Sequence, residues 1–185
     1  AMPPHLRCMA LIAFYAHTRL GEAVALQRGD VDLKAGTLRI ERQQIEVRGK
    51  GPAITAPKAS SKRTVHLPAP AVDVLREHLR DTGPGLPQAP LFTRADGSRL
   101  RGWDVNWAWR TAREKTGLTG VTFHDLRHAG LTLSAQAGAT MAEVMRRAGH
   151  ASAAAAMRYQ HAAERRDREV AQKLTELLAR ETPTA

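Results

Sequence analysis

The sequence predicts a mainly α domain with one small antiparallel β-sheet (α+β), folded as a single unit, and three observations carry that prediction. Apolar residues recur at helical spacing near the start of the chain and again from Ala69 onward. Between these stretches lies a block rich in β-branched residues and divided by Gly and Pro turns. Hydrophobic residues make up 43% of the 185, enough to pack one core.

In chain order, Leu6, Met9, Ala10 and Ala13 mark a helix that begins after Pro3 and Pro4. Gly21 to Gln27 forms a second that ends before Arg28-Gly29-Asp30, with Arg19 at the joint. VDL, a Lys34-Ala35-Gly36 turn, TLRIERQQIEV, a break from Gly49 to Pro52 and RTVHL make up the sheet, and Lys58 falls on or beside a hairpin within it. Helix returns at Ala69, with Val72, Leu75 and Leu79 on one face, and stops in the Pro/Gly-rich loop from Thr82 to Pro90. No further sheet of any length is expected after it. The remainder reads as helices at about 103 to 115, 124 to 137, 140 to 148, 152 to 159 and 162 to 180. Trp103 and Trp107, four apart on one stripe, are expected in the core. In the last helix Val170, Leu174, Leu177 and Leu178 form an apolar stripe that could pack on its own domain or on a neighbouring copy.

Lys and Arg number 28 against 18 Asp and Glu, a formal charge of +10, and the basic residues are spread along most of the chain. With a pI near 10.8, this favours a nucleic-acid partner over a merely solvated basic surface. The single cysteine, Cys8, cannot form an internal disulfide, which fits a cytoplasmic setting. The apolar run CMALIAFYA has neither a signal-peptide cleavage site after it nor the roughly 20 residues that a bilayer span needs.

The residues that carry chemistry are gathered in a few segments. Within HDLRH, His124 and Arg127 are three apart and His128 is four from His124, so a helix brings all three to one side. The same H-x-x-x-H spacing could grip zinc, with Asp125 in the place of a catalytic Glu. Against that, Arg127 would set a fixed positive charge between the ligands, no third ligand follows at a familiar spacing, and Asp is one methylene short. Tyr159 stands nine residues after His150 in GHASAAAAMRYQH, Arg19 lies in TRLGE and Lys58 in APKASSKRTVHLP.

Taken in order, TRLGEAVAL with GDVDL, PKASSKRTVHLP, FHDLRHAGLT and AGHASAAAAMRYQH resemble the catalytic domain of the tyrosine recombinases, the phage-integrase type of site-specific recombinase. The resemblance covers nearly the whole chain and implies the tyrosine-recombinase catalytic-domain fold. It makes Arg19 and Arg127 the catalytic arginines, Lys58 the hairpin lysine, His124 and His150 the two histidines and Tyr159 the nucleophile, with Glu22 supporting Arg19. Three places depart from the common pattern: Ala16-His17-Thr18 stand where Thr-Gly-Leu is usual, Ala59 where Thr is frequent after the lysine, and Ala148 where Leu usually precedes Gly-His.

Elementary chemistry agrees with these roles. Two guanidiniums can hold the non-bridging oxygens of a phosphodiester in a fork that lysine cannot form. A tyrosine, with an ordinary pKa near 10, needs a base or nearby cations to attack at neutral pH. His124 is the better base, His150 the better phosphate donor, and Lys58 the acid for the departing sugar oxygen. No carboxylate cluster suited to Mg²⁺ accompanies them, so metal-independent chemistry with no cofactor is expected.

The resemblance further implies a 3′-phosphotyrosyl intermediate and a free 5′-hydroxyl, with no ATP. It implies double-stranded DNA as partner, tetrameric self-association of the full-length protein in its synaptic complex, and accessory DNA-bending or directionality proteins. It places residues 1–185 as the catalytic domain alone, without the N-terminal core-binding or arm-binding domains of the family, and so with weak, salt-sensitive DNA binding. The Ala/Arg-rich composition points to a GC-rich bacterial genome or one of its phages. Two other readings remain open: a type IB topoisomerase-like enzyme, which uses a similar constellation to rejoin the same strand, and a DNA-binding module without activity.

Overall fold

The computed structural model describes residues 1–57 and 61–149. Lys58, His150, Tyr159 and the segments expected as helices at 152 to 159 and 162 to 180 lie outside the described residues. The order is α1 (Pro4–Tyr15), α2 (Leu20–Ala25), a short 3₁₀ turn (Arg28–Asp30), β1 (Val31–Asp32), β2 (Thr37–Ile40), β3 (Gln43–Val47), β4 (Gly51–Thr55), β5 (Arg63–His66), α3 (Ala69–Asp81), α4 (Gly102–Thr116), α5 (Phe123–Gln136) and α6 (Met141–Ala148).

Helix α1 forms the centre. Leu6, Met9, Ile12 and Ala13 are buried along it and join Val24 of α2, Leu38, Ile40 and Val65 of the strands, Leu75 of α3, Val105 and Ala108 of α4, and Phe123 in one core. A smaller cluster of Leu131, Ala135, Val144 and Ala148 holds α5 to α6. Helix starts follow a recurring device in which an acid at the third helical position accepts the N–H of the preceding cap. Glu22 does so for Arg19, Asp104 for Arg101, Asp125 for Thr122 and Glu143 for Thr140. Cys8 is buried, its thiol pushed up to about 12 by that burial, which keeps it protonated and inert.

The strand region differs from the single sheet expected. β1, β2 and β5 form one antiparallel sheet in that order, while β3 and β4 pair separately as a hairpin. TLRIERQQIEV is therefore two strands, parted at Glu41-Arg42, where Arg42 turns back to an ion pair with Asp30. The Lys34-Ala35-Gly36 turn is as expected: Asp32 Oδ1 accepts the N–H groups of Lys34 and Ala35, and Gly36 has φ 64°. The break at Gly49 to Pro52 contains the β3–β4 turn.

The expectation for Trp103 and Trp107 is corrected. They are 59% and 56% exposed, because α4 turns its small residues Val105, Ala108 and Ala112 to the core. The half-buried tryptophan is Trp109, which packs edge-on to Phe123 at 5.7 Å and donates its indole N–H to the Val121 carbonyl. Arg94 lies over the Trp103 ring at 5.8 Å.

Candidate active site

The backbone between α1 and α2 reverses sharply, and His17 takes φ 54° there, in the left-handed region that glycine enters freely and other residues rarely do. His17 stands where the recombinase pattern carries glycine, so the conformation accounts for that preference. The turn presents Arg19 as cap of α2. Glu22 then accepts from the Arg19 backbone N–H at 2.8 Å and from its guanidinium at 2.8 Å. Gly21 lets α2 lie against β3, since a Cβ there would stand 2.5 Å from the Gln44 carbonyl oxygen. This packing sends Glu22 inward, to 1% exposure.

A buried carboxylate needs cations close by, and Glu22 has a second one that motif spacing does not reveal. Arg63 of β5 grips both of its oxygens, Nη2 to Oε2 at 2.9 Å and Nη1 to Oε1 at 3.1 Å. A signal was present: strand alternation places Arg63 on the same inward face as Val65, with Thr64 and His66 outward. Burial of Glu22 would by itself raise its pKa, but the hydrogen bonds and charge of Arg63, with those of Arg19, hold the carboxyl below its ordinary value.

Three guanidiniums meet the end of α6, where the last carbonyls have no partner within the helix and carry its negative pole. Arg63 Nε donates to the Arg147 carbonyl at 2.8 Å, Arg127 Nη2 to that of Ala148 at 2.6 Å, and Arg19 Nη2 to that of Gly149 at 3.1 Å. Ser61 Oγ also donates to the Gly149 carbonyl, at 3.2 Å. Gly149 ends the helix with φ 60°, and a Cβ on it would lie 2.8 Å from Arg63 Nη1. Arg127 donates as well to the His17 carbonyl. The α1–α2 joint, β5, α5 and the residue before His150 are thus tied to one another.

His124 and Arg127 leave α5 with different fates. Arg127 is 1% exposed, whereas His124 is exposed at the rim with its ring edge-on to that of His128, 4.7 Å between centroids. Partial burial first, then the charges of His128 and Arg127, lowers the His124 pKa below 6.5, so the ring is neutral at neutral pH and able to take a proton. Asp125 is held by the N–H and hydroxyl of Thr122 at 2.6 and 2.7 Å. It is a helix cap, not the base that a zinc site would need. The side chain of Arg19 keeps 36% exposure and so remains open to a ligand oxygen.

His17 gives this region a dependence on pH. Burial foremost, with the charges of Arg147, Arg127 and Arg63, lowers its pKa to about 3 against a Gly130 backbone hydrogen bond that raises it. An unfolded histidine takes its proton near 6.5, so between these values the unfolded state binds more protons. Stability is therefore complete above that window and falls as pH drops through it, by up to about 1.4 kcal/mol per unit. Glu22, with its lowered pKa, adds to the loss at the acid end. Urea denaturation from pH 7 to 4 should show this slope, and His17→Asn, which tolerates the same backbone, should flatten it. An unchanged slope in that variant would assign the titration to another group.

The sequence pattern of the family described as "Phage integrase family" matches residues 2–166. The chain is 37% identical over 180 residues to the integrase of prophage phiRv2 from Mycobacterium tuberculosis, covering 96% of this chain and 48% of that protein. It is 35% identical over 178 residues to the integrase of Mycobacterium phage L5, covering 94% and 48%. The fold resembles that of the Tn1549 transposon integrase solved with circular intermediate DNA, with TM-score 0.74 and 19% identity over 83% of this chain and 54% of that one. The chain spans about half the length of the curated relatives it matches. The family pattern and these relatives run through Arg19, the strands and the His124-Arg127 helix alike, and by them the chain belongs to the phage integrase family.

Proposed function

We propose that this chain is the catalytic domain of a site-specific DNA recombinase, which cleaves and rejoins double-stranded DNA through a 3′-phosphotyrosyl bond to Tyr159. One observation carries the reading. Arg19, at the cap of α2 and held there by Glu22, and Arg127, from α5, converge on the end of α6 one residue before His150, with neutral His124 at the rim. In this mechanism Arg19 and Arg127 set positive charge beside the scissile phosphate and His124 takes the proton of Tyr159. His150 donates to a phosphate oxygen and Lys58 protonates the leaving 5′-oxygen. The 5′-hydroxyl of the partner duplex then attacks the phosphotyrosyl bond, so bond energy is conserved. Work in a bacterial cytoplasm at the nucleoid, assembly as a tetramer in the full-length protein and help from DNA-bending or directionality proteins follow from the same reading.

A nicked duplex that loses its short 5′ fragment on cleavage should trap the protein as a covalent adduct, and Tyr159→Phe should give none. The adduct should form fully at pH 7 and above and more slowly on the acid side of 6.5, as His124 becomes protonated. Absence of adduct in the unaltered chain on its own site, or its persistence in Tyr159→Phe, would refute the assignment.

A further inference from the structure

Glu22 presents an electrostatic problem for DNA cleavage, and the role inferred for Arg63 rests on the recombinase reading. A single carboxylate paired with Arg19 alone would cancel the charge that Arg19 brings to a phosphate. Glu22 is shared, however. Arg63 takes a hydrogen bond to each of its oxygens at 2.9 and 3.1 Å, while Arg19 reaches it with one guanidinium nitrogen at 2.8 Å. The three side chains together carry one net positive charge. Both partners of the inner pair are shut from water, Arg63 at 3% and Glu22 at 1% side-chain exposure, and only Arg19 faces outward.

We propose that Arg63 is a positioning residue for cleavage: it counters the Glu22 carboxylate, so that Glu22 can orient Arg19 without neutralising it. Arg63 is held for this task by carbonyls on three sides, those of His17, Ser61 and Arg147. Ser61 lies three residues beyond Lys58 in the chain and Arg147 three residues before His150, so the counter-charge is anchored to the segments that bring the other reacting groups. Lysine would carry the charge but not the fork.

The test is a double-mutant cycle on the unaltered, Arg63→Met, Glu22→Gln and doubly substituted chains, with adduct formation on the nicked duplex measured at saturating protein and DNA affinity measured separately. Arg63→Met is expected to slow adduct formation by about 10- to 100-fold, less than loss of a direct oxyanion donor, with affinity for the duplex changed by less than about threefold because the phosphate contacts that dominate it remain. Adding Glu22→Gln to Arg63→Met removes the uncountered charge and should recover a large part of that loss. If Arg63→Met does not fold, the double variant, which buries no lone charge, is compared with Glu22→Gln. Their rates should then agree within about fivefold, since Arg63 has no carboxylate left to counter. An unchanged rate in a folded Arg63→Met overturns the proposal, as does a double variant no faster than Arg63→Met or far slower than Glu22→Gln.

Should the unaltered chain form no adduct, the functional reading falls but Arg63 can still be judged. The Glu22 carboxyl, followed by its carbon-13 resonance, should titrate higher in Arg63→Lys, where the fork is lost, than in the unaltered chain. An unmoved titration would overturn the counter-charge role.

Discussion

Arg127→Ala is expected to destabilise the domain by about 3–5 kcal/mol and also to slow cleavage by about 10²- to 10³-fold, whereas Arg19→Ala is expected to cost a similar factor in rate and less than about 1 kcal/mol in stability. The two arginines hold equivalent places in the motif but very different places in the fold. Arg127 is 1% exposed, and its guanidinium is received by the carbonyls of His17 and Ala148, which belong to elements far apart in sequence. Truncating it leaves the Ala148 carbonyl at the buried end of α6 without its guanidinium and opens a void the size of the lost side chain. Arg19 is partly solvated, and each of its partners keeps another. Glu22 retains both hydrogen bonds from Arg63, and the Gly149 carbonyl retains Ser61 Oγ. Urea denaturation of the two variants, with adduct formation measured where both are folded, separates these effects. Equal loss of stability in the two would contradict the burial difference. Arg127→Lys should fall between, as an ammonium can reach one of the two carbonyls but cannot span both as the fork does.

How much of the fold and site was legible in the sequence depends on the range of the interactions. Helices with a clear apolar stripe are written in residues three and four apart, and α1, α3, α5 and α6 lie close to where their spacing placed them. The split of TLRIERQQIEV leaves only a faint local mark: Leu38 and Ile40 alternate in one phase and Ile45 and Val47 in the other, and the strands part between them at Glu41-Arg42, where Arg42 pairs with Asp30 on the 3₁₀ turn before the sheet. The tryptophans mislead for a different reason. Spacing establishes that Trp103 and Trp107 share a face of α4 but not which face turns inward, and α4 meets the core through the small side chains of Val105, Ala108 and Ala112. In the site, Arg19, Glu22, His124 and Arg127 carry motif spacing and could be named in advance. Arg63 could not be tied to Glu22 across 41 residues, nor Arg127 to His17 across 110, because each contact exists only once the chain has closed. Short-range spacing thus singles out the candidate groups, and tertiary packing decides which of them stay exposed and which are buried among the others.

Gly130→Ala is expected to show how closely that packing is drawn. Gly130 lies in α5, three residues after Arg127, at the point where α5 crosses the end of α1. A Cβ there would stand 2.0 Å from the Phe14 carbonyl oxygen and 2.8 Å from Cδ2 of His17. Alanine is the better helix former by about 1 kcal/mol, so in an open helix this change would stabilise. Here the new methyl meets backbone, which cannot rotate away, and the helices must separate at a cost at or above the upper end of the roughly 1–3 kcal/mol typical of overpacking. The net expectation is a loss of about 2 kcal/mol or more, read as a lower urea midpoint at unchanged m-value. Separation would also draw the His17 carbonyl away from Arg127 and disturb the turn that carries Arg19, so adduct formation should slow even under conditions where the variant is fully folded. A Gly130→Ala protein as stable and as active as the original would mean that α1 and α5 do not approach this closely, and with that the convergence of Arg19 and Arg127 on the end of α6 would lose its structural basis.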